Sequence, residues 1–259
     1  MGWKMKAAEL INKVKDEITD PNLIIKTLEY NIFGADIPMK KWSRTNQIIA
    51  LMYGHTDARS YNAWKSINRT VKKGEKAFYI IKPYTFKDKE TGEVTLRFGT
   101  QAEFGYIQTE GEVPPEYNKV EEKAIVYPDV YKIADMLGVE IVKDVSRTGE
   151  AASYNNTTKT IRITSDDPNA VFHELSHAID HAVNENLGTT AEKEIVAEFS
   201  SAVLSMYYKV DNDMGVSKGY LEYFSEGNLV HKLNILLPRI ENVIKYVVDA
   251  NDTVLQKVS

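Results

Sequence analysis

The sequence contains no cysteine. That excludes disulfides, thiolate zinc sites, iron–sulfur clusters, c-type haem and a thiol nucleophile, and leaves only His, Asp or Glu to hold a metal ion. Histidine is scarce as well, with five in 259 residues. No apolar run approaches the roughly 18 residues that would cross a bilayer. The opening MGWKMKAAEL lacks the apolar centre of a secretory signal, and Lys6 stands where a myristoylation signal wants Ser or Thr. A soluble, cytoplasmic chain with no membrane partner is expected. Its length suits one or two domains, and it carries neither a repeat of fixed period nor a low-complexity segment.

Charge is unevenly spread. The formal net charge is -5, yet the window from Lys40 to Lys82 holds ten basic residues against Asp57 and Glu75 alone. A basic block inside an acidic chain points to a local polyanion contact.

Apolar periodicity predicts helices over Met5–Ile18, Leu23–Ile32, Thr45–Tyr53 and Tyr61–Asn68. A strand is expected over Lys76–Lys82, then a hairpin over Tyr84–Tyr106 turning at Thr91-Gly92. Adjacent prolines and a charge run make 113–124 the expected linker between a first domain, 1–112, and a second, 125–259. In the second, a helix is predicted over Asp129–Leu137, strands over Val139–Lys143 and Thr160–Thr164, and helices over Pro168–Asn184, Thr190–Lys209, Ser217–Ser225 and Leu229–Ala250. The fold class is α+β, a small α+β domain followed by a mostly helical one with a small sheet.

The strongest chemical signal is FHELSHAID, from Phe172 to Asp180. His173 and His177 lie four apart on the predicted helix, so they share one face about 6 Å apart along the axis. Two imidazoles so placed suit Zn2+, and Glu174 beside them suits the general base that takes a proton from a zinc-activated water. This H-E-x-x-H spacing is that of the zincin metallopeptidases. His181 continues the face, but about 12 Å along the axis from His173 it is too far to join the same ion. Val183 stands where a metzincin would place a third His.

A third ligand is therefore sought on the next helix, AEKEIVAEFSSAVLS, where Glu194 and Glu198 are four apart and share a face. The arrangement resembles the gluzincins. By that resemblance Glu194 is the metal ligand and Glu198 the acid that orients a ligand histidine, although the two acids exchange roles equally well on spacing alone. Tyr154 and His231 are candidates for steadying an oxyanion, and the TIRIT segment, Thr160–Thr164, for an edge strand that holds an extended substrate.

In the basic half, cations alternate with rings and amides: Trp42, Arg44, Asn46, Arg59, Tyr61, Asn62, Trp64 and Lys65, then Lys72, Lys73 and Lys76. Such interleaving suits single-stranded DNA, because rings stack on unpaired bases while Lys and Arg follow phosphates. Trp42, Tyr61 and Trp64 are equally what a packed core would use.

These segments together resemble the ArdC-like antirestriction proteins of plasmids and other mobile elements. The resemblance rests on Asn46-Gln47-Ile48-Ile49-Ala50-Leu51, Tyr61-Asn62-Ala63-Trp64, the turn Val71-Lys72-Lys73-Gly74-Glu75-Lys76, and Phe104-Gly105-Tyr106-Ile107-Gln108-Thr109-Glu110-Gly111. In the second half it rests on Ala152-Ser153-Tyr154, TIRIT, HELSH and EIVAEFSSAVL. Only Ala178–Ala191 separates the two motif helices, where the family has a longer insert. The resemblance implies an N-terminal domain binding single-stranded DNA, joined to a zincin-like metallopeptidase domain with Zn2+ at His173, His177 and Glu194. It also implies protection of incoming DNA from host restriction. Binding to single strands would raise the local concentration of a protein target. Two alternatives stand beside it, a single-strand-binding protein whose zincin domain is inactive and a regulatory metalloprotease that cuts a repressor. The protein or peptide substrate is left open.

Overall fold

A computed structural model describes residues 7–14, 20–119, 125–144, 151–165, 167–184, 188–210 and 229–256. The chain divides into two compact units, Met1–Glu122 and Lys123–Ser259. The secondary structure is mixed α and β throughout.

The first unit opens with α1 (Ala7–Val14) and α2 (Pro21–Phe33), the latter starting on proline with Asp20 as its cap. A 3-10 turn over Pro38–Lys41 leads into α3 (Arg44–Met52), β1 (Ala58–Arg59) and α4 (Tyr61–Ser66). Three strands follow, β2 (Arg69–Val71), β3 (Phe78–Lys87) and β4 (Val94–Gly105), and then β5 (Thr109–Gly111). The hairpin of β3 and β4 runs in register from Phe78 opposite Glu103 to Lys87 opposite Val94. It starts earlier than the aromatic alternation suggests, because the AFYII segment and Tyr84–Lys87 form one continuous strand. β1 joins the other side of β4, while β2 and β5 pair separately.

Two of the motif segments hold this unit together. The Asn46 side chain donates to the Ile81 carbonyl and accepts from the Ile81 amide, so it extends the ladder of β3 sideways onto α3. Gln108 accepts from the Gly105 amide and donates to the Lys76 carbonyl and the Glu75 carboxylate, tying the 71–76 turn to the end of β4. Gly74 has φ +94° in that turn, a conformation that a side chain would strain. Pro115–Lys119 forms a 3-10 turn within the expected linker. Glu116 pairs with Arg59 and the Tyr117 ring packs on Tyr106, so this part of 113–124 is fastened to the first unit.

The second unit comprises α5 (Val130–Met136), β6 (Glu140–Lys143), β7 (Ala152–Asn155), β8 (Thr160–Ile163), α6 (Pro168–Val183), α7 (Thr190–Tyr207) and α8 (Leu229–Gln256). The helix predicted over Ser217–Ser225 falls outside the described residues. The small sheet has the order β6-β8-β7, with β8 parallel to β6 and antiparallel to β7. TIRIT is thus the central strand and not the expected edge, because both its sides are paired; β6 and β7 are the edges. A capping box between Thr189 and Glu192 starts α7. Phe172, Leu175 and Ile179 of α6 are buried together with Ile195, Phe199 and Val203 of α7 and Ile240, Val243 and Val247 of α8. That apolar seam leaves the neighbouring stripe of α6, with its histidines, facing outward.

Candidate functional site

On α6, Asp167 caps the first turn, Pro168 opens the helix, and the 3.6-residue period then puts His173 and His177 on one stripe. Their Nε2 atoms are 3.2 Å apart. From α7, Glu194 brings Oε2 to 3.5 Å from His173 Nε2 and Oε1 to 3.5 Å from His177 Nε2. Among the described residues these three form the one cluster of His and acidic donors close enough to share an ion. Ligands around a tetrahedral ion at 2.0–2.1 Å are separated by about 3.3 Å. The three observed gaps match that edge length, and two imidazoles with one carboxylate are a donor set that Zn2+ accepts. The donor chemistry therefore fits a metal ion. Their side chains keep between 16 and 29% of their surface exposed, so a fourth position opens to solvent.

Glu198 does not join the three. Its Oε2 lies 3.3 Å from His173 Nδ1, on the far side of the ring from Glu194. An acceptor there fixes the tautomer that keeps the Nε2 lone pair free for a cation. The rotation of α7 thus brings Glu194 to the Nε2 atoms and Glu198 to Nδ1 of His173.

The groups perturb one another as a tight cluster should. Burial opposes a charge on His173, but hydrogen bonds to Glu194 and Glu198, with Glu174 and Glu198 nearby, outweigh it and raise its pKa to about 9. Hydrogen bonds from His173 and His177 hold the Glu194 carboxyl well below the usual carboxylate range. A metal taking Nε2 of His173 must displace a proton over most of the neutral range. The apparent affinity for Zn2+ is therefore expected to rise about tenfold per pH unit and to level off near pH 9. Calorimetric titrations in buffers of different protonation enthalpy would show the released proton; an affinity independent of pH would place the metal elsewhere.

The cluster forms one wall of an open cavity of about 370 Å³, which Glu174, Ser153 and Tyr154 also line. The Tyr154 hydroxyl donates to Asn156 Oδ1 at 3.3 Å, and burial raises its pKa. The His231 side chain lies outside the described residues. His181 and Lys193 line the cavity as well. Spacing sets His181 apart from the ion, and Lys193 goes unnoticed although it directly precedes Glu194.

Over most of its length the chain is similar to crystal structures of the antirestriction protein ArdC from plasmid R388. The metal-free form matches at 18% identity and TM-score 0.42, covering 81% of this chain and 80% of that one. The Mn(II)-bound form matches at 14% identity and TM-score 0.49, covering 88% and 98%. No family model matches the sequence, and neither does any curated protein. No helix among the described residues is long and apolar enough to cross a membrane.

The residues suggested for single-stranded DNA separate into two groups. Trp64 is fully buried, with Nε1 donating to the Phe104 carbonyl and the Arg59 and Arg69 guanidinium groups over its ring at 4.8 and 5.8 Å. Arg59 is 4% exposed and is held by Asp57 and Glu116; Asn46 is 7% exposed and engaged with Ile81. These three are structural, contrary to expectation: their polar atoms are already used inside the first unit, and none presents a face to a strand of DNA. Trp42 is half-buried, as is Arg44, which donates to Gln47. Tyr61, Asn62, Lys65, Lys72, Lys73 and Lys76 are exposed. Lys72 reaches across to the Ile107 carbonyl, which leaves its charge at the surface.

Proposed function

We propose that the second unit is a zinc-dependent metallopeptidase of the gluzincin type and that the first binds single-stranded DNA, together serving an antirestriction role on a mobile element. The observation that carries the hydrolytic part is the convergence of His173 Nε2, His177 Nε2 and Glu194 at 3.2–3.5 Å from one another, with a free acid lining the same cavity.

His173, His177 and Glu194 would hold the ion, and Glu198 would keep the His173 ring turned towards it. Zinc bound there would supply a Lewis acid that polarises the substrate carbonyl and lowers the pKa of a water molecule. Glu174 accepts the proton of the attacking water as the new C–O bond forms. It then delivers that proton to the leaving amine as the C–N bond breaks. Ala152, Ser153 and Tyr154 on the edge strand β7 line the cavity, so an extended peptide can add to the sheet there, not to the paired TIRIT strand.

The DNA-binding part is carried by the exposed set of Tyr61, Asn62, Lys65, Lys72, Lys73 and Lys76, a surface ring and surface cations from one stretch of the chain. Metal analysis of the purified protein tests the first requirement. One zinc ion per chain is expected in the parent and none in His173→Ala; equal metal in both would end the proposal.

A further inference from the structure

The cavity beside the metal-binding cluster has a cation that the hydrolytic reaction does not use. Lys193 lies one residue before Glu194 on α7, is half-buried, and lines the cavity with His181 and Asn156. A surface lysine ordinarily extends its ammonium into water or to an acid. Among the described residues no carboxylate pairs with Lys193, although several are close in sequence or in the same cavity. Asp180 is bound by Arg239 from α8, Glu192 accepts from the Thr189 amide, and Glu194 faces the two histidines. An ammonium with no counter-charge among the described residues offers three donors to whatever enters the cavity. On α6, His181 sits one turn past His177, so the cavity extends beyond the proposed reaction centre along that helix.

We infer that Lys193 is a substrate-binding residue which takes a carboxylate of the peptide, from an acidic side chain or a free C-terminus close to the bond that is cut. The inference rests on the reading of the metal centre given above and adds its specificity. One positive charge balances a single carboxylate. The same charge disfavours a substrate with Lys or Arg at that position.

Binding tests this without any turnover. The probes are succinic monohydroxamate and its primary-amide counterpart, with equilibrium affinities measured on the full chain holding one equivalent of zinc. The carboxylate probe is expected to bind about tenfold tighter than the amide, the lower end of what a charge-assisted hydrogen bond provides. Lys193→Met should erase that preference while leaving the amide's affinity unchanged, and Lys193→Arg should restore most of it. Equal binding of the two probes by the parent protein, or a preference that survives in Lys193→Met, overturns the inference with the metal centre intact. If neither hydroxamate binds, the metal centre itself fails and the inference goes with it. Two peptide hydroxamates separate the sources of the carboxylate, one with a glutamate side chain and an amidated end, the other with glutamine and a free end. Lys193-dependent preference for either supports the assignment.

Discussion

Glu174→Gln is expected to retain a full complement of metal and to lose hydrolysis by about 10²–10⁴-fold, the usual contribution of a positioned general base. Glu174 is not among the three donors that converge, so its amide variant leaves the ligand set whole. In the proposed mechanism, what it removes is the acceptor for the water's proton and the donor to the leaving amine. The measurement is cleavage of a quenched peptide library by the zinc-loaded protein, with metal content determined on the same sample. A variant as fast as the parent would mean that any cleavage arises without Glu174. Loss of metal along with activity would instead make Glu174 part of the binding set, against the arrangement in this structure.

Trp64→Ala is expected to destabilise the first unit by about 3–5 kcal/mol, the range for truncating a fully buried large aromatic. The indole is wholly covered, its N–H has a backbone partner, and two guanidinium groups lie over its ring. Its loss leaves a void and takes away the ring beneath Arg59 and Arg69. Urea unfolding followed by circular dichroism would measure the change. Tyr61→Ala is the contrast, because that ring is 50% exposed. It should alter stability by no more than about 0.5 kcal/mol while weakening binding of an unstructured oligonucleotide. That binding should fall linearly with salt on logarithmic axes. Stability unchanged in Trp64→Ala with DNA binding lost would return Trp64 to the surface.

The metal cluster is largely legible in the sequence because its chemistry coincides with a helical period. Two histidines four apart on a helix share a face, and a chain with no cysteine and five histidines has few other nitrogen or sulfur donors. The order of Glu194 and Glu198 is not legible in the same way: both occupy one face of α7, and the turn of that helix about its own axis decides which meets the two Nε2 atoms. The basic half misleads for a different reason. Residue type separates neither a stacked surface ring from a core ring nor a free arginine from one enclosed by acids. Arg59 is held by Asp57 two positions away and by Glu116 from the end of the unit, a pairing with no periodic trace. β7 escapes notice as a strand because Ala-Ser-Tyr-Asn has little β-branching. It becomes one by pairing with the strongly β-prone TIRIT.

The Asp180–Arg239 pair links two distant parts of the second unit. Asp180 stands three residues after His177, and Arg239 donates from Nε to its Oδ1 at 2.6 Å and from Nη2 to its Oδ2, with side chains only 3% and 9% exposed. Removing either partner alone strands a buried charge, at a cost of about 3–5 kcal/mol. The two positions, 59 apart in the chain, are therefore bound to change together or not at all. A change to the C-terminal helix at Arg239 is thus felt on α6, one turn from His177.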